Sequence, residues 1–355
     1  MGIDFFYFCD IILLMIKQFN NYHLILFGSI MGAFILMTLA LFFLRRFKKT
    51  TYIIILTTLV TCLVLHFLRV FMPNEKETFR TAISFVAPAT VCAISAIIFP
   101  FVFMSKSKFW KDYMFFVGPV TALMAMVVPI AQYDTKAMAF DTFRFFITHA
   151  IIAMMPIAMV ICGHHKIKWN AFWVAPVGLL IVGCVIITND IILISTGVLD
   201  GEIARYMEGC EDGTRTVMGY LLSPEYRNTI MFYGPNPVVG GLMERICNWA
   251  TPEFMRTAPF NNATLGVAKG ERMYWPLVWM LIPFLAFVLP IIALLSIACD
   301  PKGFWRAIRF KKLPKESDIK EVITEEIYEP REDGKLCKLR RTAAGDDVSL
   351  DDINI

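Results

Sequence analysis

The stretch Phe143–Val160 reads FRFFITHAIIAMMPIAMV. It is apolar for nearly the ~20 residues a helix needs to cross a bilayer core, yet it carries one imidazole, His149, inside the run. An ionisable side chain at that depth is costly unless it is paired or has a chemical role, so His149 marks a candidate functional site. Runs of the same apolar character recur on both sides of this one, and they set the fold class.

Hydrophobic residues make up 57% of the 355 and charged residues only 18%, with a mean hydropathy of +0.59. A soluble globular chain is about half apolar and a quarter charged, so this balance predicts an integral membrane protein. The net charge of +4 is small, and no basic–aromatic pattern accompanies it, so nucleic acid is not an expected partner. Nine cysteines are scattered without a CxxC or a Cys/His pair at ligand spacing, so no metal or other cofactor is expected.

Seven apolar runs lie at 24–44, 52–71, 81–104, 113–133, 143–162, 171–195 and 274–298. They predict an all-α polytopic bundle of about seven transmembrane helices. An N-terminal interfacial segment, 1–23, precedes a six-span core, 24–195. An external loop region, 196–272, a seventh helix, 273–300, and a tail, 301–355, complete the chain. In the tail, Phe304–Lys312 is basic and aromatic and suits anionic headgroups, and the charge-rich residues from Leu313 onward read as disordered.

Arg45, Arg46, Lys48 and Lys49 follow the first run, Lys106, Lys108 and Lys111 the third, and Lys166 and Lys168 the fifth. Lys302, Arg306, Arg309, Lys311 and Lys312 follow the seventh. The alternate loops carry mixed charge, such as Glu75, Lys76, Glu77 and Arg80, or Asp134, Lys136 and Asp141. The positive-inside rule therefore predicts a multi-pass protein of the cell membrane with its N-terminus outside and its C-terminus cytoplasmic. Cys210 and Cys247 then share the external loop, where a bridge between them is open.

This orientation gathers polar residues in the outer half. At 1.5 Å per helical residue, His149 lies ~9 Å and Cys92 ~16 Å below the outer surface. His66 and Arg69 occupy the last turns of the second run, and Asn189 and Asp190 the outer end of the sixth. Gln132, Asp134 and His23 fall on the same side, whereas His164 and His165 sit at the cytoplasmic end and read as ordinary loop residues. Thr58, Cys62, His66 and Arg69 share one helical stripe, and Thr81, Ser84, Pro88, Cys92 and Ser95 another. Small and polar stripes face other helices or a cavity, so an outward-facing polar cavity is expected, with membrane lipids as its natural partners.

Three motifs add a resemblance. Phe115-Phe116-Val117-Gly118 leading to Val128-Pro129, then Phe143-Arg144-Phe145-Phe146 with His149, resembles the YwaF family of bacterial membrane proteins. Eukaryotic relatives of that family are the transmembrane-protein-164 acyltransferases. Thr90-Val91-Cys92-Ala93 stands where the family has an H-x-C-D-like motif, with Thr90 in place of the histidine and Ala93 in place of the acid. Asn228 to Tyr233, followed by Pro235 and Pro237, is similar to the family's N-Y-M segment. The resemblance implies acyl transfer, with Cys92 as nucleophile and His149 as general base. His66, Arg69, Asn189, Asp190 and Asn228 are the expected substrate contacts. Two other readings fit the same residues: a transporter or small-molecule binder using the polar cavity, and a scaffold engaging a protein partner through the external loop or tail.

Overall fold

The computed structural model describes residues 19–71, 86–129, 139–201, 203–204, 220–221, 241–261, 267–308, 323–330, 336–342 and 347–349. Helix α1 (Asn21–Phe43) starts where the Asn20 side chain accepts from the His23 amide, satisfying one first-turn donor. α2 (Lys48–Leu68) follows after a tight turn. α3 (Val91–Met104) is capped by Thr90, and α4 (Lys108–Val127) by Ser107. α5 (Phe140–Ile161) and α6 (Val174–Ser195) come next, then the short helix α7 (Gly241–Ala250). The last apolar run, Val278–Cys299, passes through a π-turn at Phe284–Val288 and ends in α8 (Leu289–Cys299). Pro290 offers no amide hydrogen to the carbonyl of Ala286, which accounts for the loosened turn there.

Among the described residues five runs are long and apolar enough to cross a membrane: Asn21–Arg46, Lys48–Phe71, Phe140–Ile161, Ala171–Ser195 and Val278–Cys299. The all-α membrane bundle is therefore present. The third expected run differs from its reading, because it is interrupted: Val86 is helical, residues 87–90 are not, and helix resumes at Val91 for 14 residues. Pro88 disfavours helix in the residue before it, and Thr90 then supplies a cap that starts the helix afresh. The fourth run is helical from Lys108, and its charged opening turn (Lys108, Lys111, Asp112) lowers its apolarity.

α5 is the central element. Of its most apolar window 67% is buried, against 17% for α1, because α5 packs against α1, α2, α3 and α4. The peripheral helices instead turn large apolar side chains outward, as at Leu36, Ile191 and Leu294. No aqueous surface would tolerate that density of exposed leucine and isoleucine, whereas lipid tails match it. Gly118 allows α4 its close approach: a Cβ there would lie 3.0 Å from the Ile152 carbonyl oxygen of α5.

The end of the bundle rich in basic residues is stapled by side chains. Lys48 Nζ donates to the Cys162 carbonyl, Thr51 Oγ1 lies 2.9 Å from His164 Nε2, and His165 Nε2 lies 2.7 Å from Asp112 Oδ1. Ser296 Oγ donates to the Lys168 and Trp169 carbonyls, tying α8 to the segment before α6. His164 and His165 are thus interhelix ties rather than plain loop residues.

The chain divides into two units, Met1–Asp300 and Pro301–Ile355. The second contains helix α9 (Pro301–Ile308) and an antiparallel sheet in the order β1 (Ile323–Pro330), β2 (Leu336–Thr342), β3 (Asp347–Ser349). These strands fall within the tail that composition reads as disordered. The register sets Glu325 opposite Arg341 and Glu326 opposite Arg340, so charges that look solvating in one dimension become complementary across the ladder.

Candidate functional site

The site is built on α5. His149 Nδ1 lies 2.7 Å from the Phe145 carbonyl one turn back. A carbonyl only accepts, so Nδ1 carries the ring proton and Nε2 keeps its lone pair. The Phe145 ring packs on the imidazole with centroids 4.1 Å apart, fixing the plane of the ring.

α2 supplies the facing wall. Cys62 Sγ donates to the Thr148 carbonyl at 3.7 Å, beside His149. One turn on, His66 Nε2 lies 2.9 Å from the Val86 carbonyl and is buried. By the same logic as for His149, His66 donates from Nε2 and presents Nδ1. The two imidazoles lie within electrostatic reach of each other, and the Arg144 guanidinium within reach of both. Arg144 Nε and Nη2 donate to Asp141 Oδ1 at 2.7 and 2.6 Å, and Arg69 Nε lies 3.5 Å from the same oxygen. The His66–Arg69 end of α2 is therefore held inside by an ion cluster, not extended along a lipid interface.

Cys92 comes from the first turn of α3. Its thiol faces the Thr121 side chain of α4, whose hydroxyl donates to the Val117 carbonyl, and it lies within electrostatic reach of Cys62 and Tyr113. The expected depth of ~16 Å assumed unbroken helix from Thr81, so that figure does not apply. The contacts set the level instead: Cys62 touches the Thr148 carbonyl on one side and reaches Cys92 on the other. Side chains of α2, α3, α4 and α5 thus meet in one region. Within it Cys62 and His66 are buried, while Cys92 and His149 keep partial exposure.

α6 packs on α4 and α3, and it carries Asn189 and the buried Asp190 in its last two turns. Asn228, Gln132, Asp134, Thr81, Ser84 and Cys210 lie outside the described residues, as does the Cys247 side chain. His23 is a tie between helices: its Nδ1 accepts from the Phe19 amide at 3.0 Å, and its Nε2 donates to the Met126 carbonyl at 2.8 Å. Cys62, Thr121, Asp141 and Arg144 belong to the site without having been singled out as its members by sequence. For Cys62 a signal existed, since it lies four residues before His66 on the same stripe. Among the described residues no group of three His, Cys, Asp or Glu could hold a metal ion.

The TMEM164 family model matches residues 18–245, well over half of the chain, and a YwaF assignment is not part of that match. No curated protein and no solved structure matches the chain.

Proposed function

The chain belongs to the TMEM164 family, and from that premise we propose that it is a membrane-embedded lipid acyltransferase working through Cys92 and His149. The observation that supports this reading best is the tautomer of His149: Nδ1–H is engaged by the Phe145 carbonyl, so Nε2 is left as a base. A backbone carbonyl here does the orienting that a carboxylate does in many catalytic pairs. Thr90, which stands in place of the family's histidine, spends its side chain on capping α3 under Cys92.

In the first half-reaction His149 Nε2 takes the proton of the Cys92 thiol, and the sulfur adds to the ester carbonyl of a glycerophospholipid. A C–S bond forms, the ester C–O bond breaks, and the lysolipid leaves with the proton returned by His149. In the second, a lysolipid hydroxyl gives its proton to Nε2 and attacks the thioester. A C–O bond forms, the C–S bond breaks, and the thiolate regains the proton. The basic end of the bundle faces the cytoplasm of the cell membrane, and lipid enters sideways between helices. His66, Arg69, Asn189, Asp190 and Asn228 make the polar contacts to the headgroup.

The test is transfer of a tagged acyl chain from phosphatidylcholine to an added lysolipid by the full-length protein in vesicles. Cys92→Ala abolishes transfer, and His149→Gln lowers it by about 10²–10⁴-fold. Transfer by Cys92→Ala at the wild-type rate would sink the reading.

A further inference from the structure

Hydroxyls inside apolar helices have a ready partner in the carbonyl one turn back. Thr58, Thr61, Thr121 and Thr148 all use it, donating to the carbonyls of Ile54, Thr57, Val117 and Arg144. Ser95 does not. Its residue is 0% exposed, and its Oγ has no hydrogen-bond partner among the described residues. Leaving a buried hydroxyl unpaired costs about 1–3 kcal/mol, and Ser95, like Thr38 of α1, keeps its hydroxyl available to a further acceptor; of the two, only Ser95 lies on the helix that carries Cys92.

What lies beside Ser95 identifies that partner's chemistry. Ser95 is three residues after Cys92 in α3, so the two side chains share a face, and both lean toward the helix N-terminus. At that terminus the Ala93 amide is taken by Thr90 Oγ1 and the Ile94 amide by the Thr90 carbonyl. The amides of Val91 and Cys92 have no intrahelical acceptor, because they precede the first helical bond. A second buried hydroxyl without a partner among the described residues, that of Tyr113, lies within electrostatic reach of Cys92. Near Cys92, then, stand the Ser95 hydroxyl one turn on and the first-turn amides of its own helix, none with a hydrogen-bond acceptor among the described residues.

Resting on the acyl-transfer reading above, we infer that Ser95 is a further catalytic residue: its hydroxyl donates to the carbonyl oxygen of the acyl group on Cys92, alongside the first-turn amides of α3. When sulfur or lysolipid oxygen adds to the carbonyl carbon, the C=O electron pair moves onto that oxygen and Ser95 holds the charge. When the tetrahedral species collapses the pair returns and Ser95 keeps its proton. Hydrogen bonds of this kind strengthen as charge develops, so they act on turnover rather than on binding.

The experiment uses full-length protein in phosphatidylcholine vesicles, with alkyne-tagged phosphatidylcholine as donor probe, and compares wild type, Cys92→Ala, Ser95→Ala and Ser95→Thr. Ser95→Ala should lose about 100-fold in turnover at unchanged KM, and Ser95→Thr should recover at least a tenth of wild-type turnover. The melting temperature of Ser95→Ala should equal or exceed that of wild type, because an unpaired buried hydroxyl has been removed. Ser95→Ala turnover within about twofold of wild type, with Cys92→Ala inactive, overturns the role of Ser95 and leaves the acyl-enzyme reading intact. A Ser95→Ala protein whose turnover falls in step with its melting temperature makes the residue structural and also overturns it. An active Cys92→Ala protein removes both proposals together.

Discussion

Asp141 is the residue on which the polar end of the bundle depends. Its Oδ1 receives Arg144 through two nitrogens and has Arg69 at 3.5 Å, and its residue is only 4% exposed. A buried ion cluster is weak evidence of stability in itself, but removing one partner strands the others in a medium that cannot solvate them. Asp141→Ala should therefore destabilise the protein by about 3–5 kcal/mol, read from denaturant unfolding in detergent, whereas Arg69→Leu should cost less. Little of this was legible in the sequence, where Asp141 counts as one charge of a mixed loop. The reason is local: α5 starts at Phe140, three residues before the run that hydropathy marks, which brings Asp141 and Arg144 onto one helical face. His149, by contrast, stands out in the sequence as a candidate, because an imidazole in an apolar run is costly unless it is paired or in use. What sequence could not supply was its tautomer, since that depends on a carbonyl one turn away.

Helices meet at the basic end through contacts of a different kind. His164 sits beside Lys48 and Lys111, and burial together with those two cations holds its imidazole below the usual histidine range. A histidine whose pKa falls on folding binds fewer protons folded than unfolded, so stability rises with pH through this group. Its contribution is complete above the unfolded value of 6.5 and is lost as the pH drops below that value. Between about pH 7 and pH 5, wild type should lose melting temperature more steeply than His164→Asn, and parallel profiles would contradict the assignment. Apolar runs located the five membrane-length helices among the described residues, since hydropathy depends on composition over a window rather than on partners. It placed the start of α3 wrongly. Helix stops after Val86 and resumes at Val91, and in the sequence between them only Pro88 and Thr90 mark the break. That error matters for function, because it hid Cys92 from its place in a first turn with unused amides.

At the scale of the whole molecule, the family match covers residues 18–245 and the site residues Cys62 to Asp190 all fall within it. The unit Pro301–Ile355 lies beyond that match and carries the three-stranded sheet. Composition favoured disorder for it because Glu, Lys and Arg dominate, while pairing of those charges across strands appears only once register is known. The bundle gathers the Cys92 thiol, two imidazoles and an ion cluster from three helices, α2, α3 and α5. The central claim is that the acyl chain passes through the sulfur of Cys92. The most direct measurement is peptide mass spectrometry on protein incubated with alkyne-tagged phosphatidylcholine and quenched in acid. The account predicts a hydroxylamine-labile acyl mass on the peptide containing Cys92, diminished in His149→Gln. A tag confined to another residue, or persisting in Cys92→Ala, would contradict it.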